Sequence, residues 1–217
     1  MTLPYLQLRE DIIRWSRRME AADFVIGTSG NVSARVPGEE RFLITPSSVP
    51  YADITPEDVV LMNFEGDMLS EGRSPSIESM VHLRVYQERS EVNAVFHTHS
   101  VYASAMAALQ IPIPAFLDEL IPHVGGPVAV AAYGQSGSGE LAENAVRALG
   151  DRAAALLANH GSLCVGVSLE KAFHVVALVE RTARIYLIAR SLGTPVELPE
   201  DAVETQKMIY DYLRSPE

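Results

Sequence analysis

Three histidines and one glutamate are the residues of this chain best suited to chemistry. His97 and His99 stand two residues apart at the end of the apolar run Val92 to Phe96, and residues two apart on a β-strand point to the same side. A catalytic zinc site commonly takes three protein ligands and keeps one position open, so a third donor is needed. His160, in a tight Asn-His-Gly turn between two apolar runs, is the candidate, beside the carboxylate of Glu78.

The other histidines offer competing sets of metal ligands. Glu78 and His82 lie four residues apart on one face of a predicted helix, which could also bind a metal. A hydrogen-bonded helix histidine is the favoured interpretation of His82. His123 in a loop and His174 on a predicted helix are interpreted as structural or solvent-facing.

The elements that position these residues alternate between helices and strands. Apolar residues with helical spacing and Ser caps predict helices at Leu8 to Ala22, Ile77 to Gln87, Ser138 to Leu149 and Ser168 to Gly193. Short apolar runs predict strands at Arg41 to Thr45, Val59 to Phe64, Val92 to Phe96, Val128 to Tyr133, Ala154 to Ala158 and Leu163 to Val167.

Glycine- and proline-rich segments connect these elements. Gly27 to Asn31 is interpreted as a connector, and Ile111 to Pro127, with its prolines, as an irregular loop of functional length. The run Gly134 to Gly139 could hold a nucleotide phosphate. It lacks the Lys-Ser/Thr pair of a P-loop, so the start of a helix is the favoured interpretation.

Length and charge limit the classes of function. A chain of 217 residues predicts a single domain spanning residues 1–217. A net charge of −11 repels polyanions, so neither nucleic acid nor an anionic membrane is an expected partner. The single cysteine, Cys164, excludes an internal disulfide and lies in an apolar run typical of a buried thiol. With no stretch of signal-peptide or membrane-span length, a cytoplasmic protein is expected.

Five short motifs follow one another along nearly the whole chain. They are Gly27-Thr28-Ser29-Gly30-Asn31-Val32-Ser33, Leu43-Ile44-Thr45-Pro46-Ser47, Pro75-Ser76-Ile77-Glu78, His97-Thr98-His99 and Asn159-His160-Gly161. Together they resemble the class II aldolase/adducin family and, within it, the L-fuculose-1-phosphate aldolases. The resemblance implies an α/β fold of three layers, α/β/α, in which helices enclose a central mixed, largely antiparallel sheet. It also implies a C4-type homotetramer with active sites at subunit boundaries.

The resemblance assigns roles to the residues of these motifs. His97, His99 and His160 would hold Zn²⁺, with another divalent metal as the alternative. Glu78 would be a resting fourth ligand that leaves the metal as substrate binds and becomes the general base. A substrate phosphate would lie in a cradle formed by Thr28, Ser29, Gly30, Asn31, Ser47, Ser48 and Ser76.

The implied reaction makes or breaks a carbon–carbon bond beside the carbonyl of a small ketose, either a sugar or a sugar phosphate, through a zinc-stabilised enediolate. Relatives with the same fold and metal include decarboxylases, dehydratases, epimerases and oxygenases, so these reactions are alternatives. Adducin-like members are scaffolds that lose the metal ligands. This chain keeps the three histidines and Glu78, which disfavours a scaffold.

Two departures from the family pattern concern the substrate. Ile77 stands where the fuculose-phosphate aldolases carry a second serine, and Ser48 replaces a usual glycine, so the presence of a substrate phosphate is left open. In the segment Ala115 to Val124 those aldolases place a proton-donating tyrosine, and this chain has none. Asp118, Glu119 and His123 are candidates for that role.

The end of the chain offers two further tyrosines. Tyr210 or Tyr212 could reach a neighbouring active site. A packed amphipathic helix is the alternative interpretation of this segment.

Overall fold

The computed structural model describes residues 3–214. Its helices are α1 (Leu6–Ala21), α2 (Ser79–Glu88), α3 (Val101–Leu109), α4 (Ile121–Val124), α5 (Gly139–Leu149), α6 (Leu169–Leu192) and α7 (Glu200–Arg214). Its strands are β1 (Asn31–Arg35), β2 (Arg41–Ile44), β3 (Val60–Asn63), β4 (Ala94–Thr98), β5 (Ala129–Ala131), β6 (Ala154–Leu157) and β7 (Gly161–Gly166).

The strands form one mixed sheet in the order β3-β2-β1-β4-β7-β6-β5. The pairings of β1 with β2 and β4, of β2 with β3 and of β7 with β4 and β6 are antiparallel, whereas β5 and β6 are parallel. The sheet is therefore mixed and largely antiparallel, as the family resemblance implied. Strand β4, which carries His97, lies at its centre between β1 and β7.

Helices cover both faces of this sheet. On one side α6 packs on β4 and β7, α1 packs on β1, and α1 and α3 contact α6. On the other side α2 packs on α5, and α5 packs on β5 and β6. Because both faces are covered, most strand positions are buried, including polar ones. The predicted three-layer α/β/α architecture is confirmed.

Local sequence explains where the main helices begin and end. Ser138 and Ser168 accept hydrogen bonds from the backbone N–H groups of Leu141 and Lys171, as expected of N-caps of α5 and α6. Gly150 follows the last residue of α5 with a φ of 54°, a conformation that glycine adopts without steric cost. The predicted boundaries of these two helices are confirmed.

Three elements were not predicted from the sequence. Asn31, assigned to a connector, begins strand β1, and α3 follows β4 after only two residues. The segment predicted as an irregular loop contains the short helix α4. Strand β4 ends at Thr98, so His97 lies within the strand, as predicted, and His99 directly after it.

Within residues 3–214, no helix combines the length and the apolar character that crossing a membrane requires.

Candidate active site

The three predicted ligand histidines meet at the end of strand β4. Antiparallel pairing places His97 opposite Leu163 of β7, and the β6–β7 turn carries His160 immediately before that strand begins. The ring centroids lie 4.8 Å apart for His97 and His99, 4.7 Å for His97 and His160, and 4.9 Å for His99 and His160. One nitrogen from each ring lies within 4.8 Å of the other two. Two distant segments thus present three imidazoles to one point.

The β6–β7 turn reaches this position because of its two flanking residues. Asn159 has a φ of 57°, a left-handed conformation that asparagine tolerates better than most residues. A Cβ atom on Gly161 would lie 2.2 Å from the carbonyl oxygen of Thr98 and 3.0 Å from Cδ2 of His99. Only glycine therefore allows the His160 turn to approach β4 so closely.

Hydrogen bonding and burial prepare His97 to bind a cation. Its Nδ1 lies 3.0 Å from the carbonyl oxygen of Ser162. Since a carbonyl can only accept, Nδ1 carries the proton and Nε2 keeps its lone pair. Burial lowers the pKa of His97 to about 4, and burial together with His160 lowers the pKa of His99. Both rings are therefore neutral near pH 7, which is the form that binds metal.

Glu78 extends the cluster from the start of helix α2, where it is the N-cap residue. Its Oε2 lies 3.1 Å from Nε2 of His97, and its Oε1 lies 3.1 Å from Nε2 of His160. The side-chain amide of Asn31 donates to Oε2 at 2.9 Å. Burial alone would raise the pKa of Glu78, but the His97 and His160 rings in their protonated forms, together with the Asn31 amide, outweigh it and hold the pKa well below its ordinary value. The carboxylate is therefore an anion.

Ser136 is a site residue that sequence reasoning missed. Its hydroxyl donates to Oε1 of Glu78 at 2.8 Å. It lies in the glycine-rich run before α5, where Gly137 has a φ of 79° and packs against the backbone of Ile77. The run was correctly predicted as the start of a helix, but no local pattern indicated a contact with a glutamate 58 residues away.

This donor set fits a divalent metal ion of the zinc type. Three imidazole nitrogens and one carboxylate are ligands that zinc prefers. The side chains present would therefore accept the ion that the sequence predicted.

The predicted phosphate residues line a cleft of about 210 Å³ that opens onto Glu78, His99 and His160. Its lining includes Thr28, Ser29, Gly30, Asn31, Ser47, Ser48 and Ser76, together with Pro46, Ile77 and Ser136. Among these described residues there is no Lys or Arg. All seven predicted cradle residues are thus brought beside the histidine cluster.

The hydroxyl and amide groups of the cradle are not equally free. The Ser29 hydroxyl donates to the carbonyl of Ile26, and the Asn31 amide donates to Ser76 and Glu78. The side chains of Thr28 and Ser48 are exposed and that of Ser47 is half-buried, all lining the cleft.

The remaining histidines behave as the sequence indicated. His82 is fully buried and hydrogen-bonded through both ring nitrogens to Ser33 and Asn31. The rings of His123 and His174 contact each other edge to face, with centroids 4.6 Å apart, and neither lines the cleft.

The candidates for the missing tyrosine are engaged elsewhere in their own chain. Asp118 accepts a hydrogen bond from Gln206 at 2.6 Å, and Glu119 forms an ion pair with Arg181 at 3.0 Å. Tyr210 is packed against Gly125 and donates to the carbonyl of Asp151, so α7 is the packed amphipathic helix of the alternative interpretation. Tyr212 is exposed.

Comparison with known proteins adds independent evidence. The sequence model of the class II aldolase and adducin N-terminal domain matches residues 10–187. The chain is 38% identical over 196 residues to 5-deoxy-D-ribulose 1-phosphate aldolase of Bacillus thuringiensis serovar kurstaki, covering 90% of this chain and 92% of that protein. It is 37% identical over 175 residues to L-fuculose phosphate aldolase of Escherichia coli K12, covering 81% and 80%. A solved L-fuculose 1-phosphate aldolase superposes with a TM-score of 0.91 at 34% identity over 99% of each chain.

Proposed function

Because the chain belongs to the class II aldolase/adducin family and is a metal-dependent aldolase, we propose that it cleaves a ketose 1-phosphate into a three-carbon keto phosphate and an aldehyde. The observation that carries this proposal is the meeting of His97, His99, His160 and Glu78 beside a cleft that is lined by small hydroxyl side chains and by three of these four residues. Relatives named as aldolases of 5-deoxyribulose 1-phosphate and fuculose phosphate support this substrate class.

We assign the metal to His97, His99 and His160, with Glu78 as a fourth ligand at rest. Zn²⁺ is the proposed ion, because this donor set matches its preferences; when bound, it would polarise the substrate carbonyl and stabilise negative charge on the enediolate. The Nδ1–H of His97 held by Ser162 keeps the ring oriented for binding through Nε2.

Glu78 is the proposed general base. In the direction of bond formation it removes a proton from the carbon beside the carbonyl, and in cleavage it returns that proton. Its low pKa at rest keeps it anionic, which is the form a base needs. Ser136 and Asn31 donate to different oxygens of the carboxylate, so the group stays oriented when it separates from His97 and His160.

The substrate phosphate is proposed to lie against Thr28, Ser47 and Ser48. Small hydroxyls and the backbone of glycine-containing turns can hold an anion without Lys or Arg. Gly30 supports this backbone approach, since its φ of 71° and its contact with the carbonyl of His97 leave no room for a side chain.

We further propose that residues 1–217 form one domain, supported by a continuous core cluster from Ile12 to Tyr210. We also propose a homotetramer, which would cover exposed apolar side chains such as Ile26, 85% exposed, and Ile77, which lines the cleft and is 65% exposed. It could also supply the missing proton donor from a neighbouring subunit. The cytoplasmic location stays a prediction.

The test is a cleavage screen of phosphorylated and free ketoses with zinc-loaded protein, comparing wild type with Glu78→Gln. The variant should keep its zinc and lose roughly 10²- to 10⁴-fold in turnover, as expected for loss of a general base. Glu88→Gln, an exposed change at the other end of α2, is the matched control. Unchanged turnover in Glu78→Gln would remove Glu78 from the mechanism, and release of CO₂ or epimerisation without aldehyde would replace the reaction itself.

A further inference from the structure

A buried chain of polar side chains connects Glu78 to the interior of the protein. His82, on α2, is 0% exposed. Its Nε2 lies 2.5 Å from Oδ1 of Asn31, and its Nδ1 lies 2.6 Å from Oγ of Ser33. The Ser33 hydroxyl is also 2.7 Å from the hydroxyl of Tyr86. Asn31 in turn contacts Glu78, so four side chains lead from the carboxylate to Tyr86.

The direction of every hydrogen bond in this chain follows from its end at Glu78. A carboxylate oxygen accepts hydrogen bonds, and Nδ2 of Asn31 lies 2.9 Å from Oε2 of Glu78, so Asn31 presents its NH₂ group to this oxygen. The same NH₂ group donates to Oγ of Ser76 at 2.9 Å. The carbonyl oxygen of Asn31 therefore faces His82, and Nε2 of His82 must carry a proton to donate to it.

The other ring nitrogen completes the assignment. Burial is the main cause that lowers the pKa of His82, to about 3, so the ring is neutral and carries a single proton. With that proton on Nε2, Nδ1 accepts from the Ser33 hydroxyl, and Ser33 in turn accepts from Tyr86. Each donor in the series then has one acceptor, and no alternative direction satisfies all four side chains.

An asparagine amide has two orientations related by rotation of half a turn, and only one is useful at Glu78. In the rotated orientation, the Asn31 carbonyl oxygen would face the carboxylate oxygen at 2.9 Å, and its NH₂ group would face the N–H of His82. Both contacts would be repulsive. The rotated amide would also require the other tautomer of His82, so a proton on Nε2 stabilises the orientation in which the NH₂ group of Asn31 meets Glu78.

We propose that His82 is a positioning residue that locks the Asn31 amide with its NH₂ group toward Glu78, and so keeps the base oriented after it leaves the metal. This inference rests on the proposed role of Glu78. It assigns His82 a part in turnover beyond the packing of α2 on the sheet, although His82 touches neither substrate nor metal. The ring acts on Asn31 through the tautomer that carries the proton on Nε2.

Neutron diffraction from crystals of the zinc-loaded protein tests the tautomer directly. The expected map shows hydrogen or deuterium on Nε2 of His82 and none on Nδ1, with the Asn31 ND₂ group toward Glu78. A proton on Nδ1, or the rotated amide, would overturn the inference. This result does not depend on any substrate, so it stands apart from a failure of the proposed reaction.

Kinetics of three variants tests the consequence. His82→Leu removes the donor to Asn31 and should lower kcat roughly 10- to 100-fold, the usual effect of removing a group that orients an active-site side chain, while KM and bound zinc stay close to wild type. His82→Gln can donate from its amide to Asn31 and should recover most of that loss. His174→Leu, on exposed α6 surface outside the cleft, is the control and should keep wild-type kcat.

If His82 had only a structural role, kcat would fall in proportion to the melting temperature of each variant. His82→Gln and His82→Leu of equal stability would then have the same kcat. That pattern would overturn the inference. If His82→Leu does not fold, Ser33→Ala replaces it, because it keeps the ring, removes the hydroxyl that bonds Nδ1 of His82 and Tyr86, and should also lower kcat. Wild-type kcat in folded Ser33→Ala would overturn the inference as well. Aldehyde release by wild type and its loss in Glu78→Gln report separately on the proposed function.

Discussion

Gly161→Ala should separate the two halves of the candidate metal site. A Cβ at this position would lie 2.2 Å from the Thr98 carbonyl oxygen, and ordinary contact begins near 3.4 Å. The His160 turn and the end of β4 must therefore move apart by about 1.2 Å, the difference between these two distances. Metal–ligand distances tolerate only about 0.2 Å. His160 would leave the coordination sphere or bind with severe strain.

Zinc affinity and stability should both fall, by different amounts. We expect zinc affinity to drop by roughly 100-fold or more, at the upper end of the effect of misplacing a ligand. Overpacking of this kind typically costs about 1–3 kcal/mol, so the zinc-free protein should still fold, with a lower melting temperature. Affinity is measured by competition with a chromophoric chelator, and folding by circular dichroism and thermal unfolding.

Gly139→Ala is the matched control, because a Cβ there meets no atom within 4 Å and the residue begins helix α5. It should keep wild-type zinc affinity, and its stability should change little. If Gly161→Ala bound zinc as tightly as wild type and turned over substrate normally, the close approach of the turn to β4 would not be what assembles the site.

Three further predictions concern residues around the cleft. Ser136→Ala removes the donor to Oε1 of Glu78 and should lower kcat by about 10-fold with zinc content unchanged; an unaltered kcat would make the contact incidental. Ser48 has a left-handed backbone with φ 58°, so Ser48→Gly relieves strain and, after the entropy cost of glycine, should raise the free energy of unfolding by up to about 1 kcal/mol. If KM rises for the phosphorylated ketose and not for the free ketose, the Ser48 hydroxyl contacts the phosphate. Between pH 6.5 and 4.5 His82 becomes protonated in the unfolded chain but stays neutral in the folded protein, where its pKa is about 3. Acidification over this range should therefore lower the free energy of unfolding of the zinc-free wild type by about 2 kcal/mol more than that of His82→Gln. Urea unfolding at fixed protein concentration measures both, and equal losses would contradict the prediction.

The sequence predicted the three candidate histidine ligands because the patterns that indicate them are local. The spacing of His97 and His99 on an apolar strand and the His160 turn between two apolar runs each indicate a ligand without knowledge of the fold. That the three rings would meet depends on β4 pairing with β7, which no local pattern encodes; the family motifs supplied it. The roles of these residues as metal ligands stay predictions that the zinc experiments test.

Strand β1 was missed because turn-forming residues precede it and because the strand is short and partly polar. The turn formers from Gly27 to Gly30 precede it, and its polar residues Asn31 and Ser33 alternate with Val32 and Ala34 as in a half-exposed strand. In the structure both faces are covered, so Asn31 and Ser33 are buried and satisfied by His82 and its neighbours. Because the strand is short and contains polar residues that are buried, its sequence lacks the apolar run by which the other strands were predicted. Helix α3, rich in alanine, has a strong helix propensity that apolar periodicity alone overlooked.

The polar residues of β1 also explain how this strand contributes to the candidate site. Asn31 lies opposite His97 in the sheet and reaches Glu78 at the start of the neighbouring α2, so one strand position contacts both the strand that carries His97 and the proposed base. A buried polar strand residue is unfavourable unless every donor and acceptor is paired, and here His82 and Ser33 provide the pairing. Replacing this set with apolar residues of similar volume could preserve the sheet, but it would remove the donor to Oε2 of Glu78 and leave only Ser136 on Oε1. The cost of burying polar groups in β1 is thus offset where the chemistry needs an oriented amide.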